Sequence, residues 1–216
     1  MFNKIIIFSL FILFILVVIY YIYKEIHLYY HEKYLNTIEK TIVILRHGEK
    51  GNPAKGNLRC KGLNRALALP NLLLNRYGTN VKGIFSTQPV YIKDPKDPDN
   101  NSWYLRPIIT IEPLSIKLQI PLNIRYNFQS PTELKKLANI LYKKPKGLYV
   151  VSWEHKSIST LITNLLNNYN IKSEIPEWNT EEYGRIYVVR VFKNGNVKFD
   201  IERENLSWRL TESCPC

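Results

Sequence analysis

The first hydrophobic pattern along the chain is a continuous apolar run from Ile5 to Tyr23, without charge, glycine or proline. At a rise of about 1.5 Å per residue, a helix of this length can cross a hydrocarbon layer roughly 30 Å thick. A cleaved signal peptide is the alternative, but it needs a shorter apolar stretch and a small-residue cleavage site, which we do not find. We therefore expect residues 1–24 to form an uncleaved, single-pass N-terminal anchor in the lipid bilayer, with an interfacial aromatic belt at Tyr20, Tyr21 and Tyr23.

Residues 25–40 are polar and rich in tyrosine, which predicts a juxtamembrane stalk or a short helix. Lysines flank the apolar run on both sides. Lys4 precedes it, whereas Lys24, Lys33 and Lys40 follow it and are partly offset by glutamates. The positive-inside rule therefore leaves the side of the membrane undetermined.

From residue 41 onward, short β-branched runs alternate with helical stripes. Residues 41–45, 81–85 and 147–153 have the composition of buried parallel strands. Apolar positions at helical spacing follow them at residues 63–74, 106–118, 134–141 and 158–166. This alternation predicts one α/β domain over residues 41–216, a three-layer sandwich whose mainly parallel sheet has an antiparallel edge.

Turn and helix-capping residues refine this prediction. Residues 185–192 and 197–201 flank Asn194-Gly195, which predicts a hairpin with a type I′ turn at the antiparallel edge. Ser130, Pro131 and Glu133 have the pattern of a helix start with a capping box. Residues 89–101 contain Asp-Pro repeats and are expected to form a loop outside the core.

Two of the four histidines occupy equivalent positions. His47 and His155 each follow a predicted buried strand, whereas His27 and His31 lie in the stalk. Open α/β sheets bind ligands at the carboxyl ends of their strands. Arg46 beside His47 adds a planar fork of donors that matches phosphate, and neutral imidazole is a good nucleophile for phosphorus. The pattern favours a phosphate site.

Five segments resemble the histidine phosphatase (phosphoglycerate mutase-like) superfamily, and they occur in the family's order. They are LRHGE at 45–49, CKGLNRA at 60–66, FST at 85–87, RPIITIEPL at 106–114 and VVSWEH at 150–155. Arg-His-Gly alone is a weak match, but the ordered set is specific and spans most of residues 41–192.

The resemblance implies a catalytic role for four residues. His47 would be phosphorylated, while Arg46, Arg106 and His155 would bind the phosphoryl oxygens. Arg59 could also contact phosphate or substrate at the mouth of the site. The family needs no metal or other cofactor, and the substrate would be a phosphorylated small molecule or a phosphoprotein.

The chain departs from the family at the proton donor. Residues 119–132 contain no acid where mutase-like members have a glutamate, and Lys156 stands where phytase-like members have an aspartate. Glu49 and Glu154 remain as candidates for the donor or for supporting residues behind the site. An insertion at residues 88–105 also separates the second strand from Arg106. We therefore expect substrates whose leaving group needs little protonation, such as phosphoramidates or acyl phosphates.

Charge and cysteine content add little to this picture. The formal net charge of +12 could indicate nucleic acid or anionic lipid. A solvated basic surface is the simpler interpretation, and we expect no specific nucleic acid partner. The three cysteines, Cys60, Cys214 and Cys216, have no metal-ligand spacing, and a terminal disulfide would form only in an oxidising compartment.

The leading hypothesis is thus a membrane-anchored phosphatase acting through His47. A non-catalytic module of the same fold that binds a phosphorylated ligand or a protein is the alternative, because the acid is missing. A phosphomutase is less favoured for the same reason.

Overall fold

The computed structural model describes residues 2–51, 56–93 and 101–215, with side chains from residue 10 onward, and divides the chain into two compact units, Met1–Ile38 and Glu39–Cys216. Helix α1 (Phe2–Leu35) makes up most of the first unit, so the predicted stalk continues the helix as far as Leu35. Within the described ranges, α1 alone is long and apolar enough to cross a membrane, with a mean hydropathy of 1.9 and none of Leu10–Leu35 buried. A signal sequence meets the same criteria of length and composition.

Strands and helices alternate through the second unit. In chain order they are β1 (Ile38–Arg46), α2 (Cys60–Tyr77), β2 (Val81–Thr87), β3 (Val90–Ile92), β4 (Ser102–Tyr104), α3 (Arg106–Leu118), β5 (Leu122–Tyr126), α4 (Pro131–Lys143), β6 (Gly147–Trp153), α5 (His155–Asn168), β7 (Arg185–Phe192) and β8 (Val197–Arg203). Six strands form one sheet in the order β5-β2-β6-β1-β7-β8. The pairs β5–β2, β2–β6 and β6–β1 are parallel, and β7–β8 is antiparallel. The predicted α/β class with an antiparallel edge is confirmed.

Both faces of the sheet are covered by helices, which gives the three layers. One face packs against α4 and α5 through residues such as Leu137 and Leu161. The other packs against α2 and α3 through residues such as Leu69 and Ile111. Strand β1 is buried on both sides, and this is why its sequence is a continuous apolar run and not an alternating one.

The sequence pattern did not reveal three short strands. The edge strand β5 is half exposed and mixes polar with apolar residues, so it lacks a buried-strand signature. Strands β3 and β4 pair antiparallel with each other, apart from the main sheet. Strand β3 lies within residues 89–101, which were expected to be loop, and residues 94–100 of that range lie outside the described part of the chain. Strands β3 and β4 have three residues each, too few to show a period.

The β7–β8 hairpin is confirmed, but its predicted type I′ turn is wrong. That turn needs a positive φ at two successive residues, whereas only Gly195 of the pair Asn194-Gly195 has one, at +85°. The Asn194 side chain accepts a hydrogen bond from the backbone N–H of Asn196 (3.0 Å), and the Gly195 N–H donates to the Phe192 carbonyl (2.9 Å). The turn therefore ends on a single left-handed glycine.

Candidate active site

Two neighbouring parallel strands end at the candidate site. β1 and β6 pair side by side, with Arg46 opposite Trp153 at their ends. His47 follows β1 and donates its backbone N–H to the Trp153 carbonyl (3.2 Å), while His155 begins α5. The ring centroids of His47 and His155 are 6.4 Å apart. The two histidines thus meet at the sheet edge where the sequence predicted a ligand site.

His47 is 1% exposed, and its ring contacts the backbone of the next residue. Its Nδ1 lies 2.7 Å from the carbonyl oxygen of Gly48. Since a carbonyl only accepts hydrogen bonds, Nδ1 of the neutral ring carries the proton. Nε2 consequently keeps its lone pair, which is the form that a nucleophilic imidazole requires.

The surroundings of His47 keep its ring neutral. Burial lowers the pKa of His47 well below its usual value, and the charges of Arg106 and Arg46 and the neighbouring His155 lower the pKa further. The hydrogen bond to Gly48 acts in the opposite direction but is outweighed. The ring therefore remains unprotonated near pH 7.

Close backbone packing fixes the loop after His47. A Cβ atom on Gly48 would lie 2.8 Å from the Gly62 carbonyl oxygen, and a Cβ on Gly62 would lie 2.5 Å from that of Glu49. The Gly48 N–H donates to the Thr110 hydroxyl (2.8 Å), which donates to the Arg106 carbonyl (2.8 Å). Glycine is required at both positions because the loop and the start of α2 meet backbone to backbone.

Arg46 is fully buried, and burial lowers its pKa more than the nearby charges of Glu154 and Glu181 raise it. Its Nη1 donates to three carbonyl oxygens of the loop before β7, those of Asn179 (3.2 Å), Thr180 (2.6 Å) and Glu182 (2.9 Å). Its guanidinium carbon lies 4.0 Å from the ring centroid of Tyr183. Nε has no hydrogen-bond partner among the described residues. One side of the guanidinium is thus fixed and the other can serve an anion.

Arg106 is placed by the first turn of α3 and by an aromatic ring. Its guanidinium carbon lies 4.4 Å from the ring centroid of Tyr104, and its backbone N–H donates to the Gly56 carbonyl (3.1 Å). Tyr104 in turn packs edge-on against His47, with ring centroids 5.9 Å apart. The second arginine is therefore on the same side of the domain as the nucleophile.

Both carboxylate oxygens of Glu154 contact the first turn of α5. Oε2 accepts the Lys156 backbone N–H (2.8 Å) and caps α5, and Oε1 lies 2.8 Å from Nδ1 of His155. The second contact has ion-pair distance but lacks hydrogen-bond alignment. Glu154 therefore positions the first turn of α5.

Glu49 belongs to a buried ion network around Arg65. Arg65 is fully buried and binds Glu49 through Nε (3.0 Å) and Nη2 (2.7 Å), while its Nη1 contacts Glu204. Burial would raise the pKa of Glu49, but the hydrogen bonds and charge of Arg65 outweigh burial and hold the pKa below its usual value. Glu49 is thus ionised, and its ion pair with Arg65 connects the loop after His47 to α2.

The structure places Arg59 at the surface. Its side chain is 45% exposed and pairs with Glu212 at 3.5 Å. The residues after β8 also carry a disulfide, which joins Cys214 to Cys60. The terminal pairing considered from the sequence is therefore replaced by a bond to the first residue of α2.

Sequence reasoning missed two tyrosines that flank His47. Tyr104 lies 5.9 Å and Tyr183 lies 6.2 Å from the His47 ring, both edge-on. Tyr104 precedes Arg106 by two residues, so proximity in sequence was a usable signal. Tyr183 lies in the irregular segment before β7, where no pattern marks it.

Comparison with solved structures identifies the fold. The chain is similar to the protein histidine phosphatase SixA, solved in complex with tungstate, with a TM-score of 0.52 and 15% identity over 76% of this chain and 97% of that chain. Phosphoglycerate mutase from Plasmodium falciparum matches with a TM-score of 0.46 and 15% identity over 76% of this chain and 89% of that chain. No protein-family model matches the sequence, and comparison with curated proteins gives no match.

The likeness to SixA confirms, at the level of the fold, the resemblance to the histidine phosphatase superfamily. The domain has the histidine phosphatase fold.

Proposed function

We propose that the domain is a phosphatase of the histidine phosphatase type, anchored to a membrane by α1 and working through a phosphorylated His47. The observation that carries this proposal is the 2.7 Å contact between Nδ1 of His47 and the Gly48 carbonyl oxygen, which favours the tautomer with a lone pair on Nε2. Arg106 and His155 complete a pocket for the charge of a phosphoryl group. Neither a metal ion nor another cofactor is needed for this chemistry.

The reaction has two displacements at phosphorus. The Nε2 lone pair attacks phosphorus while the bond to the leaving group breaks, and the bonding electrons remain with the leaving group. The phosphorylated ring is then cationic, and Nδ1 keeps its proton, which still forms the hydrogen bond to the Gly48 carbonyl. Water attacks the same phosphorus, the P–N bond breaks, and the neutral ring and inorganic phosphate are regenerated.

We expect the site to select substrates by how much protonation their leaving group needs. Glu49 is held by Arg65 and Glu154 by the start of α5, so both carboxylates are engaged in ionic or helix-capping contacts. An alkoxide needs a proton donor that contributes roughly 10²–10⁴ in rate. We therefore expect phosphoramidates and acyl phosphates, carried by a small molecule or a protein, to react faster than sugar phosphates.

Phosphate release from an aryl phosphate by the full chain in detergent, with and without His47→Ala, tests the proposal. We expect activity that depends on His47 and an acid-labile phosphoenzyme that the variant cannot form. A clear preference for sugar phosphates over phosphohistidine or acyl phosphate would contradict the leaving-group argument but leave the nucleophile in place.

The engaged carboxylates also favour one alternative, a module that binds a phosphorylated ligand or a protein without turnover. The same experiment separates the two. Absence of phosphate release from every class of substrate, together with binding that Arg46→Met abolishes, would favour the binding module. A phosphomutase would instead transfer the phosphoryl group to a second acceptor and release little inorganic phosphate.

A further inference from the structure

A disulfide fastens the segment after β8 to the beginning of α2. It joins Cys60, the first residue of α2, to Cys214, 154 residues further along the chain. Cys60 stands two residues before Gly62, the glycine that packs on the loop after His47. The bond therefore closes next to the wall of the candidate active site.

Non-covalent contacts also hold the residues just before Cys214 against α2. Asn64 donates its side-chain amide to the Thr211 carbonyl (3.0 Å) and to the Ser213 carbonyl (2.8 Å). Glu212 pairs with Lys61 at 3.4 Å. Three consecutive residues of the tail are thus held against the first turns of α2, and the cysteines meet as a result of the fold.

No other chemistry explains this cysteine pair. In the part of the chain that the structure describes, no group of His, Cys, Asp or Glu side chains could hold a metal ion. Cys214 is exposed, so reductants of the cytosol would reach the bond. A structural disulfide of this kind persists in oxidising compartments and is rare in the cytosol.

We propose that the catalytic domain lies outside the cytosol, in an oxidising compartment, and that its substrates are phosphorylated compounds present on that side of the membrane. The residues that follow the apolar run Ile5–Tyr23, including the whole second unit, then lie on the side of the membrane away from the cytosol. The charges flanking the apolar run Ile5–Tyr23 leave the side open, whereas the disulfide selects one. A cleaved signal sequence would deliver the domain to the same side.

The substrate statement rests on the proposed phosphatase activity, but the location does not. Phosphorylated cytosolic proteins are excluded as substrates by the membrane, whatever the leaving group. The relevant substrates are those that are exported, or that are produced by a kinase or phosphotransferase acting on the same side as the domain.

The location can be tested by translating the full chain into sealed microsomal membranes. We expect protease added outside to leave the domain intact until detergent opens the vesicles. A gel-shifting maleimide should react with one thiol per chain before reduction and with three after it. Digestion without detergent, or three reactive thiols before reduction, would overturn the proposal.

Cys216→Ser is the matched variant, because it removes the one cysteine outside the pair. In this variant no thiol should react before reduction and two should react after it. Adding Cys60→Ser should free one thiol without changing protease protection, since the membrane and not the fold provides that protection. Two reactive thiols in Cys216→Ser before reduction would contradict the pairing. Neither measurement uses catalysis, so loss of phosphatase activity would count against the proposed function alone.

Discussion

Arg46 and Arg65 are both 0% exposed, yet their partners differ. Arg46 directly precedes His47, and Arg65 binds Glu49 in the loop after it. Arg46 is held by neutral peptide carbonyls, whereas Arg65 is held by the carboxylates of Glu49 and Glu204. Burial lowers the pKa of Arg46, while the two carboxylates outweigh burial and raise the pKa of Arg65. The charge of Arg46 is therefore compensated less completely than that of Arg65, because the charges of Glu154 and Glu181 that act on Arg46 do not outweigh its burial.

The difference separates a binding group from a scaffold group. An incompletely compensated buried charge is costly to keep, and its cost is recovered when an anion such as a phosphoryl group enters. A cation that is already paired with carboxylates gains little from binding an anionic ligand. Arg65 instead connects three parts of the structure, namely the loop after His47, α2 and the residue that follows β8. Charge compensation, and not burial or residue type, therefore indicates which arginine serves the ligand.

The largest effect that we expect is on stability, from Arg65→Met. This change leaves two buried carboxylates without a partner and should reduce the free energy of unfolding by about 3–5 kcal/mol. Urea denaturation followed by circular dichroism measures it. Arg46→Met is the matched control and should cost less than half as much, because the hydrogen-bond partners that it leaves are neutral carbonyls and not carboxylates. Equal losses would contradict the comparison.

The next effect is on catalysis, from Arg46→Met. Removing one donor to the transition-state charge should lower kcat/KM by about 10²–10³-fold, or about 3–4 kcal/mol. The measurement is hydrolysis of an acyl phosphate at fixed pH. Arg65→Met, assayed where it is still folded, should lose much less. A larger loss in Arg65→Met would mean that Arg65 acts in the reaction.

A smaller effect follows from the shared carboxylates of Arg65. Burial raises the pKa of Glu204 to about 7 although Arg65 opposes it. Because this folded-state pKa exceeds the ordinary value of 4.5, the folded protein holds the proton more tightly between these values. The stabilisation is present below pH 4.5 and lost as pH rises through 7, with an upper limit of about 3 kcal/mol.

Glu204→Gln keeps the shape of the side chain and removes its titration. The urea midpoint of the wild type should fall relative to that of Glu204→Gln between pH 4.5 and 8. Glu49 does not confuse the result, since its lowered pKa places its titration below this window. Parallel pH profiles for the two proteins would rule out titration of Glu204 in this range.

The smallest effect concerns the exposed Arg59. Its ion pair with Glu212 lies at the surface, so Arg59→Ala should change stability by no more than about 0.5 kcal/mol and leave kcat/KM within about twofold. Substrate-dependence of the initial rate measures this. A rise in KM of tenfold or more would restore Arg59 as a substrate contact.

The sequence was sufficient for the features that local chemistry determines. The predicted helix cap at Ser130 is present, since its hydroxyl accepts the Glu133 N–H (3.3 Å). The buried strands carry continuous apolar runs that only parallel pairing explains, and their ends gave the positions of His47 and His155. The hairpin was likewise found from its turn residues.

Features that depend on contacts between residues distant in sequence could not be predicted. Arg46 is held by carbonyls more than 130 residues away, and backbone carbonyls carry no sequence signature. The partner of Cys60 could not be deduced from spacing, because the tail reaches it through Asn64 and Lys61. The predicted turn type was wrong because Asn-Gly is compatible with more than one turn, and here Asn194 does not adopt a positive φ but accepts a hydrogen bond from the Asn196 N–H.

The hydrogen bond from His47 to its own neighbour has a consequence for how a phosphoenzyme could be recognised. With Nδ1 occupied by the Gly48 carbonyl, only the other ring nitrogen can be modified, so the product is a single positional isomer. Reagents or spectra that distinguish the two isomers of phosphohistidine would see Nε2 alone.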